Sequence, residues 1–568
     1  MNKKYPSFLI AIVTVSFFLI PNPGRADVLG QKESFFVDPD FDKYNRSQLS
    51  ATLHHVSDKL YFYVEDSYWN GLDTFHQNSL VANITVLAEE FDERIYLKEV
   101  QFWGSEANPG VDSDPRITIL VEQLASSNGG YFNTANGYTK SQIPDSNSRE
   151  MIFLSAESVN SGSELTKVFL AHEFQHLISF NQKDLINRIN EDVWLNELRS
   201  EYSTSLVGYN DIYRSSNLNR RVISFLENSS DSLTEWPNKS SDYGIVSVFA
   251  EYLAEQYGKN ILSETLRLPL SGIDSFNNFL QAGGYYERFS DIFLEWMAAV
   301  YLNNINLGSS YGYIRPELRD IKVRPQSSAY MSGSLNELTS SYSIKNWQPL
   351  WLEYNFDTAL NKSPKIEVGG QSDQNFIVSY ITFFNDGRVR LDRLPMTSGK
   401  GVGYASNLNS GVKKIALLAT NGTKLSKFYT EETPYNLSLK VSLVDPSLVE
   451  KALLKDGALV RKNNEKEIYV IWGKYKRYLA PGVMNLYGHL DPASAIEVSP
   501  EVFDFYTTSN YVKYAGDEKV YAVWSDITKH WLNITPQQWD ASGRDWGAIF
   551  TINDLELNYY KTEADITR

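Results

Sequence analysis

Apolar residues along the chain change their spacing several times, and each change marks a boundary. Behind Lys3 and Lys4, Phe8 to Ile20 is an almost unbroken apolar run, ended by Pro21, Pro23 and Gly24. A membrane-spanning helix takes about 20 residues, and this run is shorter. With small residues at Gly24 and Ala26, residues 1–26 read as a cleaved export leader. From 27 to about 160 the pattern is mixed α/β. Leu60–Val64, Ile117–Val121 and Met151–Leu154 are short β-branched and aromatic runs that predict strands. Residues 81–94 carry a helical period, and Asn128-Gly129-Gly130 reads as a turn.

From about 161 the period is helical. Ser161 followed by Glu164 predicts a capping box ahead of an apolar run. Further helices are expected near 191–206, 243–257 and 288–302. In the second of these Ile245, Val248, Phe249, Tyr252 and Leu253 share one face, and Gly258 ends it. Residues 306–345, rich in Ser, Gly and Pro, read as a linker. Over 346–445, strand patterns such as Trp351–Phe356 and Ile415–Leu418 alternate with Asn, Gly and Asp turns and predict a β-sandwich. The last segment repeats itself. Val460 and Val512, Tyr469 and Tyr521, and Trp472 and Trp524 each stand 52 apart; Arg477 and Lys529 keep that offset, and Tyr506 and Tyr559 stand 53 apart. Two small modules, 446–508 and 509–568, follow from this. The chain is therefore multidomain, with an α+β part over 27–305 ahead of β-rich parts.

Charge and cysteine content narrow the chemistry. The net charge is −16, and removal of Lys3, Lys4 and Arg25 with the leader takes it to −19. Phosphate binding draws on clustered Lys and Arg, so a nucleic-acid partner is not expected. With no later stretch fit to span a bilayer, the mature chain is expected to be secreted. No cysteine is present, which removes disulfides, thiolate nucleophiles and Cys-ligated zinc. A metal site must use His, Asp and Glu, and the chain has seven His.

Two of those seven lie in His172-Glu173-Phe174-Gln175-His176. Histidines at i and i+4 on a helix project from one face and can reach a single ion. Glu173 stands beside the same point, where its carboxylate can act as base toward a water that a metal has made acidic. Leu165, Val168 and Phe169 precede on what reads as an inward face, where two unpartnered imidazoles would be costly. Zinc needs a third protein ligand. A metzincin would place Gly and His at the positions of Ser179 and Gln182, which excludes that class. Trp194, Glu197, Leu198 and Glu201 form an i, i+3, i+4, i+7 stripe on the next helix. Glu197 is the natural third ligand, and Glu201 is placed to hold a ligand imidazole through its other N–H.

His172–His176, followed after a short spacer by Trp194-Leu195-Asn196-Glu197-Leu198-Arg199-Ser200-Glu201-Tyr202, resembles the gluzincins. More narrowly, the chain resembles the hyicolysin-type neutral zinc metalloproteases of bacteria. The resemblance also takes in Asp112–Leu120, Gly129–Phe132, Ser146–Ile152, Tyr243-Gly244 and Phe289–Trp296, so it covers about 35 to 305. Related chains often read Asn-Glu-Gly-Leu-Ala-Glu-Tyr, whereas Leu198 and Arg199 fill the middle places here. The resemblance implies a zincin-like fold, a zinc peptidase activity, and Ile117–Val121 as the edge strand that pairs with an extended peptide.

Peptide hydrolysis also needs a donor to the oxyanion, and Tyr243, at a helix start, is the candidate. Asp112 and Asp114 are a candidate pair for a structural calcium ion, although no full calcium loop follows. The function expected is a secreted zinc endopeptidase acting on protein or peptide substrates. The alternatives are an adhesion protein carrying such a domain, gripping a cell-surface or matrix polymer through its C-terminal modules, and a zinc hydrolase of non-peptide bonds.

Overall fold

The computed structural model describes residues 26–567 apart from 126–128, 361, 406–410, 446–453, 463–464, 499 and 516. The leader up to Arg25, Asn128 of the expected turn and the first residues of the 446–508 module lie outside the described residues. Contacts divide the chain into two units. The first runs to Val323 and takes in Lys424–Glu432; the second comprises Arg324–Thr423 and Thr433 onward.

The first unit begins with a six-stranded sheet. Its strands are β1 (Lys32–Phe36), β2 (Gln48–Val56), β3 (Leu60–Glu65), β4 (Ile117–Glu122), β5 (Gly130–Tyr131) and β6 (Met151–Ser155), in the order β1-β2-β3-β4-β6-β5. β3, β4 and β6 run parallel, and every residue of all three is buried. Continuous apolar runs suit strands covered on both faces. The expectation that Ile117–Val121 is an edge strand is corrected here, because β4 is hydrogen-bonded on both sides. The edges are β1 and the two-residue β5, the latter antiparallel to β6 through Gly130↔Leu154 and Tyr131↔Phe153.

Eleven helices are described in this unit: α1 (Asp66–Gly71), α2 (Thr74–Glu90), α3 (Tyr96–Trp103), α4 (Ala156–Asn160), α5 (Glu164–Phe180), α6 (Val193–Val207), α7 (Asn217–Glu227), α8 (Ser240–Tyr257), α9 (Asn260–Arg267), α10 (Gly272–Ala282) and α11 (Phe289–Leu302). The start of α5 differs from the expected capping box. Gly162, at φ +64, ends the preceding turn, and the cap is Ser163, whose side chain accepts from the Leu165 N–H. Leu165 itself is exposed, and the buried positions of the helix begin at Thr166 and Val168. After Phe180 the helix widens into a π-helical stretch, Asn181–Asn187, which Arg188 closes in the left-handed region.

The second unit opens with β7 (Ser327–Met331), β8 (Glu337–Ile344), β9 (Leu350–Phe356), β10 (Ser363–Gly370), β11 (Phe376–Phe384), β12 (Val389–Leu394), β13 (Met396–Thr397), β14 (Lys400–Tyr404), β15 (Val412–Asn421) and β16 (Tyr435–Val444). They form two five-stranded sheets, β13-β14-β10-β16-β8 and β12-β11-β15-β9-β7, that share one core including Leu352, Ile366, Leu417 and Leu439. β7 and β8 fall in the stretch read as a linker. Both are edge strands rich in Ser, with few buried side chains, which is why they do not announce themselves as strands.

Next come β17 (Leu459–Lys462), β18 (Ile468–Trp472), β19 (Tyr475–Leu479), β20 (Ile496–Val498) and β21 (Thr507–Thr508). Then follow β22 (Tyr511–Tyr514), β23 (Val520–Val523), β24 (Thr528–Trp531), β25 (Ile549–Ile552) and β26 (Lys561–Thr562). The sheet orders, β20-β17-β18-β19-β21 and β25-β22-β23-β24-β26, correspond strand for strand, parallel pairs included. On this correspondence Val460 matches Val512 and Tyr469 matches Tyr521, as their spacing suggests. Arg477 does not match Lys529. The second hairpin loop is one residue longer, so Lys529, paired with Val523, matches Lys476, paired with Ile471. Lys476 Nζ donates to the Phe503 and Tyr506 carbonyls, and Lys529 Nζ donates to the Leu557 carbonyl. Tyr506 and Tyr560, each directly before its last short strand, are likewise the matched pair, not Tyr506 and Tyr559.

Candidate metal centre

α5 and α6 pack together, and their facing turns carry the candidate ligands. His172 Nε2 lies 3.1 Å from Glu197 Oε2 and 3.2 Å from His176 Nε2, and His176 Nε2 lies 3.5 Å from Glu197 Oε1. Among the described residues these three form the one group of His, Asp or Glu whose ligand atoms all lie within 4.8 Å of one another. Zinc–nitrogen bonds of about 2.0–2.1 Å in a tetrahedron place donors about 3.3 Å apart, so this donor set fits that ion in both kind and spacing. The side chains are 12 %, 10 % and 15 % exposed, so the cluster is largely enclosed.

Hydrogen bonds behind the candidate ligands orient them. Gln175 Nε2 donates to Ser179 Oγ at 2.8 Å, and Ser200 Oγ donates to Gln175 Oε1 at 2.6 Å. The Ser200 hydroxyl has then spent its proton, so at 3.1 Å it accepts from His176 Nδ1. That puts the proton of a neutral His176 on Nδ1 and aims the Nε2 lone pair at the shared point. Glu201 Oε1 lies 3.5 Å from His172 Nδ1. Glu201 is buried and accepts from Arg221 at 2.6 and 2.9 Å, Asn217 at 2.8 Å and Ser247 at 3.1 Å.

Electrostatics agree with an arrangement made for a cation. Burial disfavours a charged His172, but the adjoining Glu197, with Glu173 and Glu201, outweighs it and holds the imidazole up to about 9. Burial also opposes the Glu197 charge, yet both histidines hold its carboxylate well below the usual range. Glu173 behaves the other way: burial raises it, and the two imidazoles offset this only in part. Its carboxylate has no hydrogen-bond partner among the described residues. β5 passes close beside it, since a Cβ on Gly130 would meet the Phe153 carbonyl at 2.8 Å and Glu173 Cγ at 3.4 Å.

Tyr243 borders the site with its ring centroid 6.5 Å from that of His172. Its hydroxyl donates to Asn238 Oδ1 at 2.9 Å, the Arg221 guanidinium sits 4.4 Å from the ring centroid, and Trp236 meets the ring edge-on at 5.0 Å. Asp112 and Asp114 are bound up within the protein. Asp114 accepts from the Tyr61 hydroxyl and the Arg116 N–H, and Asp112 accepts from the Asp114 N–H, so nothing supports a calcium ion there. Ser200, Gln175, Asn217 and Arg221 are absent from the sequence-derived set. Ser200, three residues after Glu197, is the one that helix periodicity could have offered.

Two histidines from one helix and a glutamate from the next thus form a candidate metal centre, with a second glutamate beside the first histidine. Among characterised proteins the chain is similar to the neutral metalloprotease ShpI of Staphylococcus hyicus, 26 % identical over 291 residues. The match takes in 45 % of this chain and 63 % of that protein, so this chain spans less than two thirds of its relative's length. No protein-family model matches the chain. Among solved structures, the pre-peptidase C-terminal domain of collagenase from Bacillus anthracis aligns with a TM-score of 0.15 at 11 % identity, over 21 % of this chain and 98 % of that one. The family GH115 4-O-methyl-α-glucuronidase BtGH115A aligns at 0.12 and 8 %, over 58 % and 51 %. Scores this low carry no argument.

Proposed function

We propose that the protein is an exported zinc-dependent endopeptidase of the gluzincin type, with a zincin-like catalytic part. The observation that carries this reading is the convergence of His172, His176 and Glu197 on one point, with the buried Glu173 carboxylate beside it. Zinc held by these three ligands supplies Lewis acidity and raises the acidity of water. Glu173 then takes a proton from the attacking water and returns it to the departing amine. The Tyr243 hydroxyl turns from Asn238 to donate to the oxyanion. Glu201 and Ser200 hold the two imidazoles by their Nδ1 atoms. The outer edge of β5, kept close to Glu173 by Gly130, is the place where an extended peptide adds as a further strand. Similarity to a bacterial neutral metalloprotease supports the peptide substrate.

Export rests on the leader-like residues 1–26, and no helix of the described residues is long and apolar enough to cross a membrane. The sandwich and the two repeat modules are read as non-catalytic. Trp472 and Trp524, at matching hairpin turns, are 53 % and 52 % exposed and suit stacking on a cell-surface or matrix polymer. Hydrolysis of an unfolded protein, assayed with and without a chelator, tests the main reading. Cleavage that stops with chelator and returns with zinc supports it; no cleavage with zinc bound rejects it.

A further inference from the structure

Between β15 and β16 the chain contributes Lys424–Glu432 to the first unit, and this segment is tied there at three points. The Leu425 carbonyl accepts from the Ile273 N–H at 2.8 Å, at the start of α10. The Phe428 N–H donates to Asp192 Oδ1 at 3.1 Å, and the Glu432 N–H donates to Glu235 Oε2 at 3.1 Å. Asp192 is the N-cap residue of α6, the helix that carries Glu197, yet its side chain makes no capping bond to its own helix. One oxygen is given to the segment instead, and the other is buried without a partner. The Phe428 ring meets Trp194, in the first turn of α6, at 6.4 Å. Packing at the junction is tight. Gly272, at φ +57, touches both sides, and a Cβ there would fall 2.3 Å from Asp192 Oδ2 and 2.7 Å from the Leu425 carbonyl oxygen. The third tie reaches the loop that precedes α8. Its Glu235 adjoins Trp236, which packs on Tyr243, and Asn238 receives the Tyr243 hydroxyl.

We infer that Lys424–Glu432 is a strap that positions the metal centre, holding the N-terminal turn of α6, and with it Glu197, and steadying the loop against Tyr243. The inference rests on the proposed zinc site. A helix N-terminus whose own cap group is turned outward needs other anchors; here the strap shares that part with Glu191, whose carboxylate pairs with Lys183 and Arg199. Phe428, Asp192 and Glu235 are thus positioning residues and touch neither metal nor substrate.

Linkage gives the test. If the strap holds Glu197 in its ligating position, zinc binding must in turn stabilise the strap by the same factor. Hydrogen exchange on the full chain, with zinc and after chelation, should show the Phe428 and Glu432 amides protected about tenfold more when zinc is present. Phe428→Ala should raise the zinc dissociation constant about tenfold with the helical circular-dichroism signal unchanged, and Phe428→Leu should restore most of the affinity. Zinc-independent exchange at 424–432, or unaltered zinc affinity in Phe428→Ala, overturns the strap while leaving the peptidase reading intact. A wild-type chain that binds no zinc overturns the peptidase reading itself. If Phe428→Ala fails to fold, the exchange measurement on the wild-type chain decides alone.

Discussion

Arg221→Met isolates the charge that balances Glu201. Glu201 is buried against His172, whose Nδ1 lies 3.5 Å away, and Arg221 is the cation nearest to it, at 2.6 and 2.9 Å. Deleting one partner of a buried pair costs about 3–5 kcal/mol, because the other is left charged and uncompensated. Asn217 and Ser247 still donate to Glu201, and the Arg221 side chain is 15 % exposed, so the lower end applies. Loss of the cation over the Tyr243 ring adds about 0.5–1 kcal/mol. The variant should therefore be about 3.5–4 kcal/mol less stable, a shift of several hundredfold in the unfolding equilibrium. Urea unfolding followed by the helical circular-dichroism signal reads this out. Glu201→Gln and the double variant complete a cycle in which the two losses fall short of additivity by at least about 1 kcal/mol. An Arg221→Met variant within about 0.5 kcal/mol of wild type, or strict additivity, would refute the argument.

Three further outcomes are expected. Tyr243→Phe should lower kcat more than KM, since the proposed hydrogen bond forms mainly in the transition state; an unchanged kcat would return Tyr243 to packing. Glu122 is buried on β4 with Tyr131 donating to one oxygen, and burial, with Asp42 and Glu65 adding, pushes its carboxyl up to about 8. From about pH 4.5 to about 8 the native state then holds a proton that the unfolded chain has lost, so this group's contribution to stability falls as pH rises. Glu122→Gln keeps the Tyr131 bond and should remove that decline, and urea midpoints at both ends of the window check it. The double variant Trp472→Ala, Trp524→Ala should hydrolyse peptide at the wild-type rate while binding cell-wall or matrix material less; unchanged retention would rule out those two rings.

The parts of the site written within one or two helical turns are legible in the sequence. His172, Glu173 and His176 follow from i, i+4 geometry, and Glu197 follows from the stripe through Trp194 and Leu198. The groups behind them are less so. Arg221 lies 20 residues from Glu201, on a different helix, and only tertiary packing brings the two together. Sheet order is also hidden. Ile117–Glu122 has the unbroken run of a strand buried on both faces, and that pattern was the available sign that β4 is interior. The family resemblance, which implies an edge strand over Ile117–Val121, points the other way. Ser-rich edge strands such as β7 and β8 bury too little to show a period. Within the last two sheets, a one-residue difference in hairpin length is enough to shift Lys529 from the partner that spacing assigns it.

The central claim is that His172, His176 and Glu197 hold the metal while Glu173 does the proton work. The most direct test compares zinc content and proteolysis in wild type and Glu173→Gln, prepared alike. Both should retain one zinc per chain, and the variant should lose activity on an unfolded protein by about 10²–10⁴-fold. Near-wild-type cleavage by the zinc-loaded variant, or a wild-type chain without zinc, would contradict the account.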